Sequence, residues 1–148
     1  MIKLNAIRSC VPLILLVMVA TLCRLSYAND SPQIGNRYEI IRPIYLTAVY
    51  NSMKTPQISR EMARAYLISE LIYFKHSYAF QSKVPVGTVM TIIGPAPKVW
   101  NIPFLAKRYF VRLEPDPSRG LDVELVLYEE LKGSLDGLNP EIFRLLQN

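Results

Sequence analysis

The sequence predicts an α+β domain: a small curved antiparallel sheet or open β-barrel of about four or five strands, one long helix and a short C-terminal helix. Three observations carry that expectation. Several short runs rich in β-branched and aromatic residues are separated by proline and glycine. One window near the middle, Ser59 to Phe74, follows a helical period. Asn139-Pro140-Glu141 near the end has the composition of a helix start.

Tyr38 to Tyr50 is strand-like and is broken at Pro43, which cannot donate a ladder hydrogen bond, so two short strands or one bulged edge strand are expected there. In the next segment Ile58, Met62, Ala65, Tyr66, Ser69, Ile72 and Tyr73 gather on one side at 100° per residue, and Ala63, Leu67 and Phe74 widen the arc. Arg60, Arg64 and Lys75 fill much of the remainder. An arc this wide implies a deeply set helix or one shared with a partner.

Val84 to Ile93 is apolar on both alternating faces and reads as a central strand entered through Pro85 and Gly87. Lys107 to Leu113 alternates with Tyr109, Val111 and Leu113 inward and Arg108, Phe110 and Arg112 outward. Leu121 to Tyr128 alternates with Asp122, Glu124, Val126 and Tyr128 opposite the apolar set. The connection from Glu114 to Gly120 joins these two runs as a hairpin. Keeping both apolar sets on one face demands a register such as Val111 against Val123, which brings Arg112 opposite Asp122 with Glu124 near. At the end of the chain, Asn139 as N-cap and Pro140 at the first helical position predict a terminal turn or two of helix, docked through Ile142, Phe143, Leu145 and Leu146.

The first residues form a separate unit. Lys3 and Arg8 precede an uncharged run from Cys10 to Cys23, the pattern of a secretory signal. The run is shorter than the roughly 20 residues a membrane-spanning helix needs. Ser26-Tyr27-Ala28 places small residues at the cleavage positions, so the expected division is a signal peptide over 1–28 and one secreted domain over 29–148, with no transmembrane anchor after cleavage. Arg24, between the run and the site, leaves an uncleaved signal as the alternative. The expected location is periplasmic or extracellular, with a bacterial envelope favoured.

Both cysteines fall in the signal, which removes disulfides, thiolate metal sites and cysteine nucleophiles from the secreted part. That part carries fourteen basic against twelve acidic side chains, with the basic ones early and the acidic ones late. Neutralisation across neighbouring elements explains the split better than a cationic surface for an anionic partner does, and it disfavours nucleic acid as a partner. His76 is the lone histidine and has no carboxylate at ligand spacing, so no metal, cofactor or catalytic residue is expected. Glu129 and Glu130 are adjacent and point to opposite faces of a strand, a poor acid and base couple.

The candidate binding surface is the segment from Gly94 to Ala106, stiffened by three prolines, with Trp100 and Phe104 as anchors and Lys98 and Lys107 beside them. The basic side of the expected helix, Arg60 and Arg64, is the second. The function that follows is a non-enzymatic exported envelope protein binding a protein partner. A module for an anionic glycan or lipid headgroup is the first alternative, and a hydrolase is the second, whose site around His76 or the acidic half is not visible in sequence.

Overall fold

The computed structural model describes residues 31–146 except 53, 55, 71–77 and 98–105. The described residues contain strands and almost no helix. Eight strands run in the order β1 (Arg37–Ile40), β2 (Ile44–Tyr50), β3 (Ala63–Ile68), β4 (Tyr78–Val84), β5 (Val89–Pro95), β6 (Arg108–Glu114), β7 (Val123–Val126) and β8 (Phe143–Leu146). The one helical element among the described residues is a single 3-10 turn at Glu129–Leu131. The strands form one mixed sheet ordered β4-β2-β3-β7-β6-β5-β1-β8, with β3 and β7 parallel and the other neighbours antiparallel.

This overturns the α+β expectation, and the reason lies in Ala63–Ile68. At a period of two, Ala63, Ala65 and Leu67 are buried while Arg64, Tyr66 and Ile68 are half-buried on the other face. The wide apolar arc on a helical wheel is what such alternation looks like when it is wrapped at 100° per residue. Tertiary pairing decides between the two periods: β3 runs antiparallel to β2 from Tyr50↔Ala63 to Tyr45↔Ile68 and parallel to β7 on its other side. The remainder of the helix window, 71–74, lies outside the described residues.

The terminal helix is likewise absent. Asn139 does accept the Glu141 N–H through Oδ1 at 3.0 Å, and its carbonyl accepts from both Ile142 and Phe143, but the chain makes only this turn. Phe143–Leu146 then pairs with β1 as an edge strand. An isolated turn gains little by propagating, whereas four residues of β8 gain a ready ladder. The strand count of four or five falls short of eight for a related reason. β4, with polar Gln81, Ser82 and Lys83 in its middle, lacks an apolar alternation, and Val84 to Ile93 is not one central strand but the end of β4, a corner and most of β5.

Connectivity forces the sheet to curl. β1 and β2 are five strand positions apart, about 24 Å on a flat sheet at ~4.8 Å per strand. The four residues from Ile40 to Ile44 span at most about 14 Å. β4 and β5, also five positions apart, are joined through residues 85–88. Both crossings happen at one corner, because β1 with β5 and β2 with β4 share a single continuous register, Glu39↔Val89 running on to Ile44↔Val84. Ile40 spans the bend, donating to the Thr88 carbonyl at 2.9 Å and accepting from the Gly87 N–H at 2.8 Å. Gly87 has φ +90°, which a residue with a Cβ adopts only at a cost, so the bend requires glycine there. The result is a bent ribbon that closes a ring through β2, β3, β7, β6, β5 and back along β4 to β2.

The ring encloses one apolar core. Ile40, Ile44, Leu46, Leu67, Met90, Ile92, Leu113 and Leu125 are its largest fully buried apolar side chains. Val111 does pair with Val123, which puts both on the inner face and sends Arg108, Phe110 and Arg112 of β6 and Glu124 of β7 outward.

Candidate functional site

The outer face of β3, β7 and β6 carries an arrangement that alternation alone does not reveal. Glu124 sits on β7 directly opposite Tyr66 on one side and Phe110 on the other. Cross-strand neighbours approach within about 5.5 Å, so two aromatic rings flank the carboxylate. Its two oxygens accept from two arginines, Oε1 from Arg64 Nη1 at 2.7 Å and Oε2 from Arg108 Nη2 in a very short contact. Thus Glu124, although on the outward face, is 0% exposed, and the Arg108 side chain is 3% exposed.

A buried carboxylate needs this degree of pairing, because taking either charge out of water alone costs several kcal/mol. Arg108 spends a second donor on the Pro97 carbonyl, Nη1 to O at 2.5 Å, while its buried Nε has no partner among the described residues. Arg64 holds its proton more tightly than an ordinary arginine, chiefly through the hydrogen bond to Glu124. The Tyr66 phenol is pushed above its usual range by burial first and by the charge of Glu124 second. The cluster is a fixed structural base and has no open coordination.

Beside it, where β5, β6 and β7 meet the hairpin turn, lies an open cleft of about 350 Å³. Its walls include Ile93, Phe110, Arg112, Asp116, Ser118 and Asp122, with Arg60 at the rim. A bulge shapes it: the register of β5 on β6 shifts between Ile92 and Gly94. Such an inserted residue re-aims its side chain, and Ile93 is left 44% exposed beside the half-buried Phe110.

The charges of the cleft are mostly engaged. Arg60 Nε donates to the Gly120 carbonyl at 2.9 Å and lies 3.8 Å from Asp122. The Asp116 carboxylate accepts the Ser118 N–H at 2.8 Å. Two groups stand apart. Arg112 makes no ion pair among the described residues, and the Ser118 hydroxyl, in a residue only 1% exposed, is buried without a hydrogen-bond partner among them.

The residues singled out from the sequence are dispersed. Arg60 reaches the cleft and Arg64 belongs to the buried cluster, on a strand and its preceding turn and not on a helix. Lys107 is exposed and tied to Asp136 at 3.0 Å and to the Ser31 hydroxyl at 3.2 Å; the pairing with Asp136 raises its affinity for its proton. Lys98, Trp100 and Phe104, like His76, lie outside the described residues. The expected Arg112 to Asp122 pairing gives way to Arg60 with Asp122. Sequence reasoning missed Ile93, Arg112, Asp116 and Ser118 as a group. The available signals were a glycine inside a strand, which marks a bulge, and an outward phenylalanine between two arginines.

Among the described residues no three His, Cys, Asp or Glu side chains gather as metal ligands, and no helix is long and apolar enough to cross a membrane. No protein-family model, curated protein or solved structure matches this chain.

Proposed function

We propose that this chain is a non-enzymatic exported envelope protein that binds a protein partner, and that the cleft between the β5 bulge and the β6–β7 hairpin is the contact surface. The observation that carries the reading is the juxtaposition, in one open cleft, of an exposed Ile93 and a half-buried Phe110 with an uncommitted guanidinium, Arg112. Aromatic and arginine anchors surrounded by ion-paired polar groups are the composition of protein interfaces, where an apolar centre supplies affinity and a polar rim supplies specificity.

Two aspartates, Asp116 and Asp122, also line the cleft, and among the described residues they are what speaks for hydrolysis. General-acid work needs an enclosed carboxyl group. Both of these are exposed, and both are already engaged, so the binding reading is preferred.

The test is capture of partners from cross-linked envelope extract by the mature protein and by an Ile93→Ser/Arg112→Gln variant, followed by binding measurements with the purified captured protein. The reading expects one saturable partner that the folded variant loses. A partner retained by the variant would move the contact surface elsewhere, and retention of anionic glycan or lipid in place of protein would replace the partner class.

A further inference from the structure

We infer that the cleft recognises a peptide carboxylate, an aspartate or glutamate side chain of the partner set beside an apolar residue, with Arg112 as its ion-pair partner and the Ser118 hydroxyl as its hydrogen-bond donor. The inference rests on the protein-binding reading above and specifies its chemistry.

Three observations converge. Arg112 is the uncommitted cation of the cleft: Arg60 is occupied by Gly120 and Asp122, and Arg64 and Arg108 are both spent on Glu124. A guanidinium matches a carboxylate with two parallel hydrogen bonds. Ser118, buried in the same wall, carries a hydroxyl with no partner among the described residues. A buried polar group left unmatched is costly, and a ligand oxygen that reaches it by a small shift of the turn removes the cost. Finally, Asp116 and Asp122 flank the same space. They repel a doubly charged phosphate more strongly than a singly charged carboxylate, and they accept hydrogen bonds from amide N–H groups. A ligand that brings one carboxylate, adjacent N–H donors and an apolar side chain for Ile93 and Phe110 is a peptide. A phosphate monoester brings a second negative charge against Asp116 and Asp122, and a sugar or headgroup brings no apolar side chain for Ile93 and Phe110.

The experiment follows backbone and arginine Nε–H resonances of the isotope-labelled mature protein during titration with three probes: acetyl-Leu-Glu-Leu-amide, its Gln counterpart and inorganic phosphate. A short peptide is expected to bind with Kd of about 1–10 mM, shifting Ile93, Phe110, Ser118 and the Arg112 side chain. Loss of the charge in the Gln peptide, or Arg112→Gln in the protein, weakens binding about tenfold, the effect of one charge-assisted pair. Ser118→Ala separates a binding role from a structural one. Because the hydroxyl has no partner to lose, this variant keeps or raises the unfolding midpoint while its affinity for the Glu peptide falls severalfold.

Equal binding of the Glu and Gln peptides, absence of shifts at the cleft up to about 20 mM peptide, or stronger shifts with phosphate would each overturn the inference. If in that case the capture variant still loses its protein partner, the binding reading survives and only the carboxylate assignment falls. If capture fails as well, both fall.

Discussion

Replacing Glu124 with glutamine keeps the size and the acceptor oxygen but removes the one charge that balances Arg108, whose side chain is 3% exposed. Arg64, with a third of its side chain exposed, rehydrates on losing the pair. Arg108 has no such route. Breaking a buried ion pair from one side costs about 3–5 kcal/mol, since the remaining charge is left uncompensated in low dielectric. For a domain of this size each kcal/mol lowers the unfolding midpoint by about 4 °C, so Glu124→Gln is expected to lose about 10–20 °C. Replacing both partners with apolar residues of similar volume, as in Arg108→Met/Glu124→Leu, recovers much of that loss. Recovery stays incomplete, because the bond from Arg108 to the Pro97 carbonyl is also removed. Urea unfolding followed by far-ultraviolet circular dichroism, with unchanged denaturant slopes, measures both. A loss below about 1 kcal/mol for Glu124→Gln, or a double variant no more stable than the single one, would show that the outer face of β7 is wetter than the structure has it.

Three further outcomes follow from the structure. Tyr66 holds its proton above its usual range through burial, so the folded state resists forming the phenolate. The stability linked to it is whole below the ordinary tyrosine value of 10.0 and is lost as pH rises through the raised folded value, hence Tyr66→Phe flattens the fall in urea midpoint above about pH 10. Tyr109, also raised by burial, leaves part of the slope in place. A Cβ on Gly133 would overlap the Leu138 carbonyl, whereas at Gly94 no atom lies within 4 Å of one. Gly133→Ala is expected to destabilise by about 1–3 kcal/mol and Gly94→Ala to be close to neutral, checked by thermal unfolding of the two variants side by side. The exposed ion pairs Arg42–Glu141 and Arg144–Glu39 are expected to contribute less than about 1 kcal/mol each, which a double-mutant cycle at two salt concentrations would measure.

What the sequence makes legible are features whose signal is local. Proline at 43 divides β1 from β2, and the alternating runs around Val111 and Val123 define both the hairpin and its register. Within the expected helix the period over 63–68 is two, because Ala63-Arg-Ala-Tyr-Leu-Ile68 satisfies both periods and only its partners β2 and β7 choose between them. Asn139-Pro140-Glu141 has the chemistry of a helix start, and the structure uses that chemistry for a single turn into β8. Glu124 read as an outward polar residue, since two arginines from different strands must arrive before its burial makes sense. The cleft was hidden for the same reason. Ile93, Arg112 and Ser118 come from a bulge, a strand and a turn, and nothing in their spacing announces that they share a wall.

The most direct test of the account is a photo-crosslinking amino acid placed at Ile93, inside the cleft, and in parallel at Leu135, more open to solvent than Ile93 but not among the residues that line the cleft. Irradiation in the native envelope is predicted to join one protein to the chain from position 93, to lose it when Arg112→Gln is added, and to give no matching product from position 135. Indistinguishable products from the two positions, or a product at 93 that persists with Arg112→Gln, would contradict the assignment of this cleft as the binding surface.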